Sequence, residues 1–170
     1  MGGAQGVEQS GRLCLSRGVD PQLAAAAGAS HIINYKSQDV AAEIKKIVPH
    51  GVDAIVEVAP AANAAIDAQV IASHGAVAIY ANDGGDEVTI PIRTQMGPNA
   101  RWQFVLVYTE TARAKDIGVE DVNAAVLDGA VRVGREAGLP LHVFPLAETA
   151  QAHQAVAEGI TGKVLIDVTA

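Results

Sequence analysis

Between residues 30 and 81 short β-rich runs alternate with helical repeats, a rhythm that restricts the chain to folds built on parallel strands. The run over 31–35 (His-Ile-Ile-Asn-Tyr) reads as a strand. Ser37 can cap a helix whose apolar positions Val40, Ile44, Ile47 and Val48 recur on one face, and Pro49-His50-Gly51 stops it. The run over 52–58 is mostly apolar and branched, as a strand covered on both faces should be. An alanine-rich helix is predicted over 62–73, with Ile66 and Val70 four apart. His74-Gly75 ends it, and 76–81 is the next strand. Strand, helix, strand, helix, strand implies a doubly wound parallel sheet, which binds its ligands beyond the carboxyl ends of its strands.

Asn82-Asp83-Gly84-Gly85-Asp86 is a loop by composition. Further strands are expected over 87–92 and 103–108, and a long helix over 119–137 with Val122, Val126, Ala130 and Val133 on one face. A strand over 141–146, a helix over 148–158 and a strand over 163–168 complete the pattern. No internal repeat or low-complexity linker interrupts it.

Composition excludes several classes of function. Of the 170 residues 49% are hydrophobic and 18% charged, too apolar for a disordered chain. A net charge of −7 argues against nucleic-acid binding, which needs a basic face. No apolar run approaches the roughly 20 residues of a membrane span, and the start lacks the order of a signal peptide, so a cytoplasmic protein is expected. Cys14 stands alone, and the five histidines fall at strand or helix ends without metal-ligand spacing, so no metal site is expected. Asp53 and Glu57 bracket a strand, and no second carboxylate offers an acid–base pair; no catalytic residue is assigned.

Five ordered segments carry a resemblance: Ala-Gly-Ala-Ser-His-Ile-Ile-Asn-Tyr-Lys (27–36), Gly-Val-Asp-Ala-Ile-Val-Glu (51–57), Ser-His-Gly-Ala-Val-Ala-Ile-Tyr (73–80), Phe-Pro-Leu-Ala-Glu-Thr-Ala-Gln-Ala-His (144–153) and Gly-Lys-Val-Leu-Ile (162–166). Together they resemble the quinone oxidoreductase, or zeta-crystallin-like, branch of the zinc-free medium-chain dehydrogenases and reductases, over about 23–168. The resemblance implies a Rossmann domain that binds NADPH, no metal, and hydride transfer to a quinone or another conjugated carbonyl. It implies Tyr35 near the adenosine phosphate and Asn63 in contact with the cofactor. Tyr80, Ala81 and Asn82 would run beneath the nicotinamide ribose, and the backbone of Phe104, Val105, Leu106 and Val107 would face the carboxamide. Each has a plainer alternative: an edge-strand aromatic for Tyr35, a helix cap for Asn63, a β-former for Tyr80, core or interface for 104–107.

The start departs from the family. Its phosphate-binding turn reads roughly Gly-Gly-Ala-x-Gly-x-Val-Gly after a hydrophobic strand, and glycines there let the backbone approach a pyrophosphate. Here Gly2-Gly3-Ala4-Gln5-Gly6-Val7-Glu8 is a remnant, with Gly3 and Gly6 as its candidate contacts and Glu8 where the last glycine belongs. With Met1 directly before this remnant, no preceding strand is expected. Residues 9–22 offer no counterpart of the family's next helix and strand; only Leu13-Cys14-Leu15 is apolar, and Arg12 and Arg17 are either solvated or available to a 2′-phosphate. The expected organisation is thus a degenerate turn over 1–22, a Rossmann-like domain over 23–140 that is incomplete at its start, and a strand–helix–strand over 141–170 packed on it, elements that in the family return to the catalytic domain. That catalytic half is expected on another polypeptide or to be missing. A homodimer through the strand over 103–108 is expected from the family. A second reading follows: an inactive fragment acting as a dimeric assembly module.

Overall fold

The computed structural model describes the backbone of residues 13–16, and residues 21–132 and 134–169. In chain order the elements are β1 (Leu13–Ser16), α1 (Pro21–Ala26), β2 (His31–Asn34), α2 (Val40–Ile47), β3 (Val52–Glu57), α3 (Pro60–Val70) and β4 (Ile71–Ile79). There follow α4 (Ile92–Met96), β5 (Arg101–Phe104), α5 (Ala112–Leu127), β6 (Leu141–Pro145), α6 (Thr149–Ala157) and β7 (Lys163–Asp167). Every pairing among the described strands is parallel, with helices in the crossovers: the fold is α/β and Rossmann-like, as the alternation implied.

The described residues group into two compact units, one over 37–121 and one drawn from those within 1–36 and 122–170. In the second, β1 pairs with β2 and β6 with β7, and Ile33 and Ala152 are buried. The first holds a three-stranded sheet in the order β3-β4-β5. Its middle strand carries most of the core: Ile71, Val77 and Ile79 pack with Ile55, Ala100 and Trp102, and Val77 is 0% exposed. Val40 and Ile44 of α2 and Ala64 and Val70 of α3 are buried in the same unit, so the helical spacing seen in the sequence does mark inward faces.

Several expectations are corrected. The cap of α2 is Asp39, whose carboxylate accepts from the Ala42 N–H at 3.0 Å; Ser37 lies two residues too early. The helix expected over 62–73 begins at Pro60 and ends at Val70, because buried Ile71 and Ala72 already belong to β4. His74, with φ of 62°, marks a break inside β4, and the register jumps there from Val52↔Ile71 to Ala54↔Ala76. No strand forms over 87–92; Ile92 instead opens α4. The strand expected over 103–108 runs from Arg101 to Phe104 and gives way to a 3-10 turn at Val107–Thr109.

The helix expected over 119–137 runs from Ala112 to Leu127, and left-handed Gly129 terminates it while the N–H groups of Gly129 and Ala130 bond back into its last turn. Val122 and Val126 are exposed, and Val133 lies outside the described residues. Val56 is 73% exposed, so β3 is not covered on both faces. Leu13–Ser16 is a strand where the sequence offered none, because the ladder from β2 supplies bonding partners that local propensity does not.

Gly51 turns the chain into β3 with φ of 93°, and a Cβ there would stand 2.6 Å from the Val70 carbonyl oxygen and 2.7 Å from the Ala72 nitrogen. Both neighbours are backbone and cannot swing aside. Gly51→Ala should therefore destabilise the protein by roughly 2–4 kcal/mol, read as a lowered urea midpoint at unchanged m-value.

Candidate functional site

Three backbone bonds shape the carboxyl end of the β3-β4-β5 sheet. The Tyr80 N–H donates to the Glu57 carbonyl at 3.3 Å, the Asp83 N–H to the Val58 carbonyl at 2.9 Å, and the Val105 N–H to the Ile79 carbonyl at 2.7 Å. The chain leaving β4 is thus tied to the end of β3, and the chain leaving β5 to the end of β4. Between them opens a cleft of about 280 Å³, lined by Ile79, Tyr80, Ala81 and Asn82 on one side and Phe104, Val105 and Leu106 on the other. Its walls are mainly apolar, and it lies where a parallel sheet leaves room for a ligand. Ligand pockets commonly measure about 300–1,000 Å³, so it suits one ring of a dinucleotide better than the whole molecule. Asn82 donates its side-chain amide to the Asp86 carboxylate at 2.5 Å, closing the loop that forms one rim.

The two stretches singled out in the sequence, 80–82 and 104–106, therefore meet in space. Val107 does not join them: it begins the 3-10 turn and is exposed. Tyr35 follows β2 in the other unit and is exposed. Gly3, Gly6, Arg12 and Arg17 lie outside the described residues. Asn63 is not a helix cap; α3 starts after Ala59 with Pro60 in its first turn, and Asn63 sits inside the helix.

Asn63 instead joins a cluster around Glu57. Glu57 Oε1 accepts from the Val58 N–H at 2.7 Å, the Ala59 N–H at 2.5 Å and the Asn63 side-chain amide at 3.2 Å. A carboxylate in this position ties down N–H groups just ahead of α3 and sets negative charge at the positive end of the helix. Asp67, one further turn along α3, is hydrogen-bonded to Glu57. Glu57 is 5% exposed and Asp67 3%, and Asp67 Oδ2 is buried with no partner. Burial, then the Glu57 charge and the shared bond, push the Asp67 carboxyl up to about 7. Glu57 thus has a buried carboxyl neighbour, Asp67, that the sequence reading did not single out. The signal was present in the sequence: Pro60, Ala64, Asp67 and Val70 form the buried stripe of α3, and Asp67 is the acidic residue in it.

A parallel α/β unit with an apolar cleft beyond its strand ends belongs to the nucleotide-binding class of folds. A family model described as zinc-binding dehydrogenase matches residues 27–166, and the chain belongs to that family. No curated protein sequence matches it. Among solved structures, benzyl alcohol dehydrogenase from Acinetobacter calcoaceticus is similar at 20% identity and a TM-score of 0.71, over 92% of this chain and 42% of that one. Alcohol dehydrogenase TADH from Thermus sp. ATN1 gives 20% and 0.72, over 93% and 45%. A quinone oxidoreductase from Pseudomonas syringae pv. tomato DC3000 gives 16% and 0.68, over 91% and 48%. The chain thus spans less than half the length of these proteins, and the likeness is one of fold.

The family description mentions zinc, but among the described residues no three His, Cys, Asp or Glu side chains gather into a set that could hold a metal ion. The described residues do not fit zinc. The mainly apolar walls of the cleft are compatible with a planar ring such as nicotinamide. Also among the described residues, no helix is long and apolar enough to cross a membrane.

Replacing Glu57 by Ala removes the acceptor shared by the Val58 and Ala59 N–H groups and leaves Asp67 without its partner. The variant should lose roughly 2–4 kcal/mol of stability in urea unfolding, whereas Glu43→Ala, which breaks only an exposed 2.7 Å pair with Lys46, should change it by under about 0.5 kcal/mol.

Proposed function

We propose that this chain is the cofactor-binding portion of an NADPH-dependent, quinone reductase-like oxidoreductase. The observation that carries the reading is the meeting of Tyr80-Ala81-Asn82 with Phe104-Val105-Leu106 around one apolar cleft, since the family resemblance assigns both stretches to the nicotinamide end of the cofactor. Bound there, NADPH supplies the hydride. The chain's own part is to orient the ring and exclude water from one of its faces: Ile79 and Phe104 form apolar wall, and the backbone of Val105 and Leu106 faces the carboxamide. Asn63 fixes the amino end of α3 through Glu57. By the family resemblance Tyr35 would serve the adenosine phosphate and Gly3 and Gly6 the pyrophosphate. The electron acceptor is a quinone or conjugated carbonyl, consistent with the quinone oxidoreductase among the structural relatives. Its pocket, and any group that acts on it, belongs to a second, catalytic half. No metal takes part, and the protein works in the cytoplasm.

A second reading has its own observation. Among the described residues β5 pairs with β4 alone, so its outer edge is open; Phe104 at its end and Leu106, Val107 and Tyr108 just beyond it are exposed. An apolar open edge invites pairing with a second copy of the strand. In this reading the chain is a dimeric assembly module without cofactor turnover; the homodimer itself is compatible with both readings.

Trp102, whose indole donates to Gln95 Oε1 at 3.0 Å, lies on β5 two residues before Phe104. Titration with NADPH should change its fluorescence saturably below millimolar cofactor, with calorimetry in agreement; no response by either method rejects cofactor binding. Sedimentation at micromolar concentration should give a dimer. The Val105 N–H already serves β4, so strand alternation turns that of Phe104 to the open edge, and Phe104→Pro should shift the protein towards monomer while keeping its circular dichroism. A wild-type monomer overturns the dimer.

A further inference from the structure

Glu57 and Asp67 are the two carboxyl side chains buried among the described residues, and they are hydrogen-bonded to each other. Two carboxylates in such contact repel, so at lower pH one of them carries the proton that makes the bond. Three N–H donors converge on Glu57 Oε1, so the negative charge belongs there and the proton on Asp67, whose Oδ2 has no partner.

The position of the pair gives that proton a task. Glu57 and Val58 are the residues whose carbonyls receive the Tyr80 and Asp83 N–H groups, so one wall of the cleft hangs from the segment that the Glu57 side chain ties to α3. We propose that Glu57 and Asp67 share one proton and that this proton is a latch, with Asp67 a positioning residue that fixes the end of β3, the start of α3 and the cleft wall formed by Tyr80–Asn82. The elements packed against α3 are α2, α4, β3 and β4. Their charged and titratable groups are Glu43, Lys45 and Lys46, then Arg93, then Asp53 and Glu57, then His74; of these Glu57 is the one whose charge acts on Asp67.

The sign follows from linkage. In the unfolded chain Asp67 releases its proton near 3.8, whereas in the folded protein it keeps it to about 7. The folded state therefore holds the extra proton between those values. The stabilisation is complete below about pH 4, declines as pH rises and is gone above about pH 7.

The test is urea unfolding of the full chain from pH 5 to 8, without cofactor, for wild type and Asp67→Asn. Asparagine keeps a donor towards Glu57 but cannot ionise. The wild-type folding constant should fall relative to the variant by up to tenfold per pH unit between pH 5 and 7, and the two curves should run parallel above that. Parallel curves throughout overturn the latch. Carbon-13 labelling of the aspartate carboxyl groups in wild type decides the matter even where the variant fails to fold: one resonance titrating near pH 7 supports the latch, and all aspartates titrating in the ordinary range overturn it.

The link to the cleft rests on the cofactor reading above and has a separate arm. NADP+ affinity measured by calorimetry should weaken with rising pH in wild type relative to Asp67→Asn. Equal pH profiles overturn the coupling to the cleft, whereas absence of binding in both proteins rejects the cofactor reading and leaves the unfolding result to judge the latch.

Discussion

Hydrogen bonding on both sides of β4 is what the candidate site depends on. The strand is paired in parallel with β3 and β5, and its inward residues Ile71, Val77 and Ile79 make the core between the helices and the sheet. Because all three strands run the same way, their carboxyl ends finish together, and the chain must leave the sheet at one rim. The bonds from Tyr80 to Glu57 and from Val105 to Ile79 carry the ladder one step beyond the strands before the backbones diverge. The cleft is the space left by that divergence.

One part of this frame is polar where the rest is apolar. Burying a carboxyl costs several kcal/mol unless its hydrogen bonds are made. Glu57 meets that requirement with two backbone N–H groups and the Asn63 amide, and it serves a segment whose N–H groups have no helical partners. Asp67, its carboxyl pushed up to about 7 by burial and by Glu57, meets it by holding its proton below that pH, and its Oδ2 has no partner. A well-packed leucine at that position would fill space but could not hold the Glu57 side chain. A polar residue in a helix's buried stripe is therefore tied to the geometry of the sheet end. Gln95 does comparable work at the other side of the unit, joining the Ala68 carbonyl on α3 to the indole of Trp102 on β5.

The periodic elements were legible from local pattern alone. The faces of α2 and α3, the strands β2, β3, β6 and β7, and the helix α6 fall within a few residues of where apolar spacing put them. Departures occur where a neighbour overrides the local signal. Residues 71–75 read as the end of a helix, yet Ile71 and Ala72 are drawn into the core of the sheet. Residues 13–16 read as nothing in particular, yet a parallel partner makes them a strand. Residues 87–92 read as a strand, yet among the described residues no adjacent strand supplies the bonds that would keep them extended. Among the candidate site residues, 80–82 and 104–106 were identifiable through resemblance, whereas the role of Asn63 depended on a side chain six positions back.

By itself the sequence determined the class of fold: period-2 and period-3.6 apolar patterns in strict alternation can bury their faces only as parallel strands with helices between them. It also determined the family, through segments long enough to be matched over 27–166. Tertiary structure decided which residues keep company. The meeting of Tyr80 with Phe104, and of Glu57 with Asp67, depends on strand order, on a register break at His74 and on the rotation of α3. Those are set by packing between residues far apart in the chain, and local pattern carries no information about which distant partner a buried polar group will find.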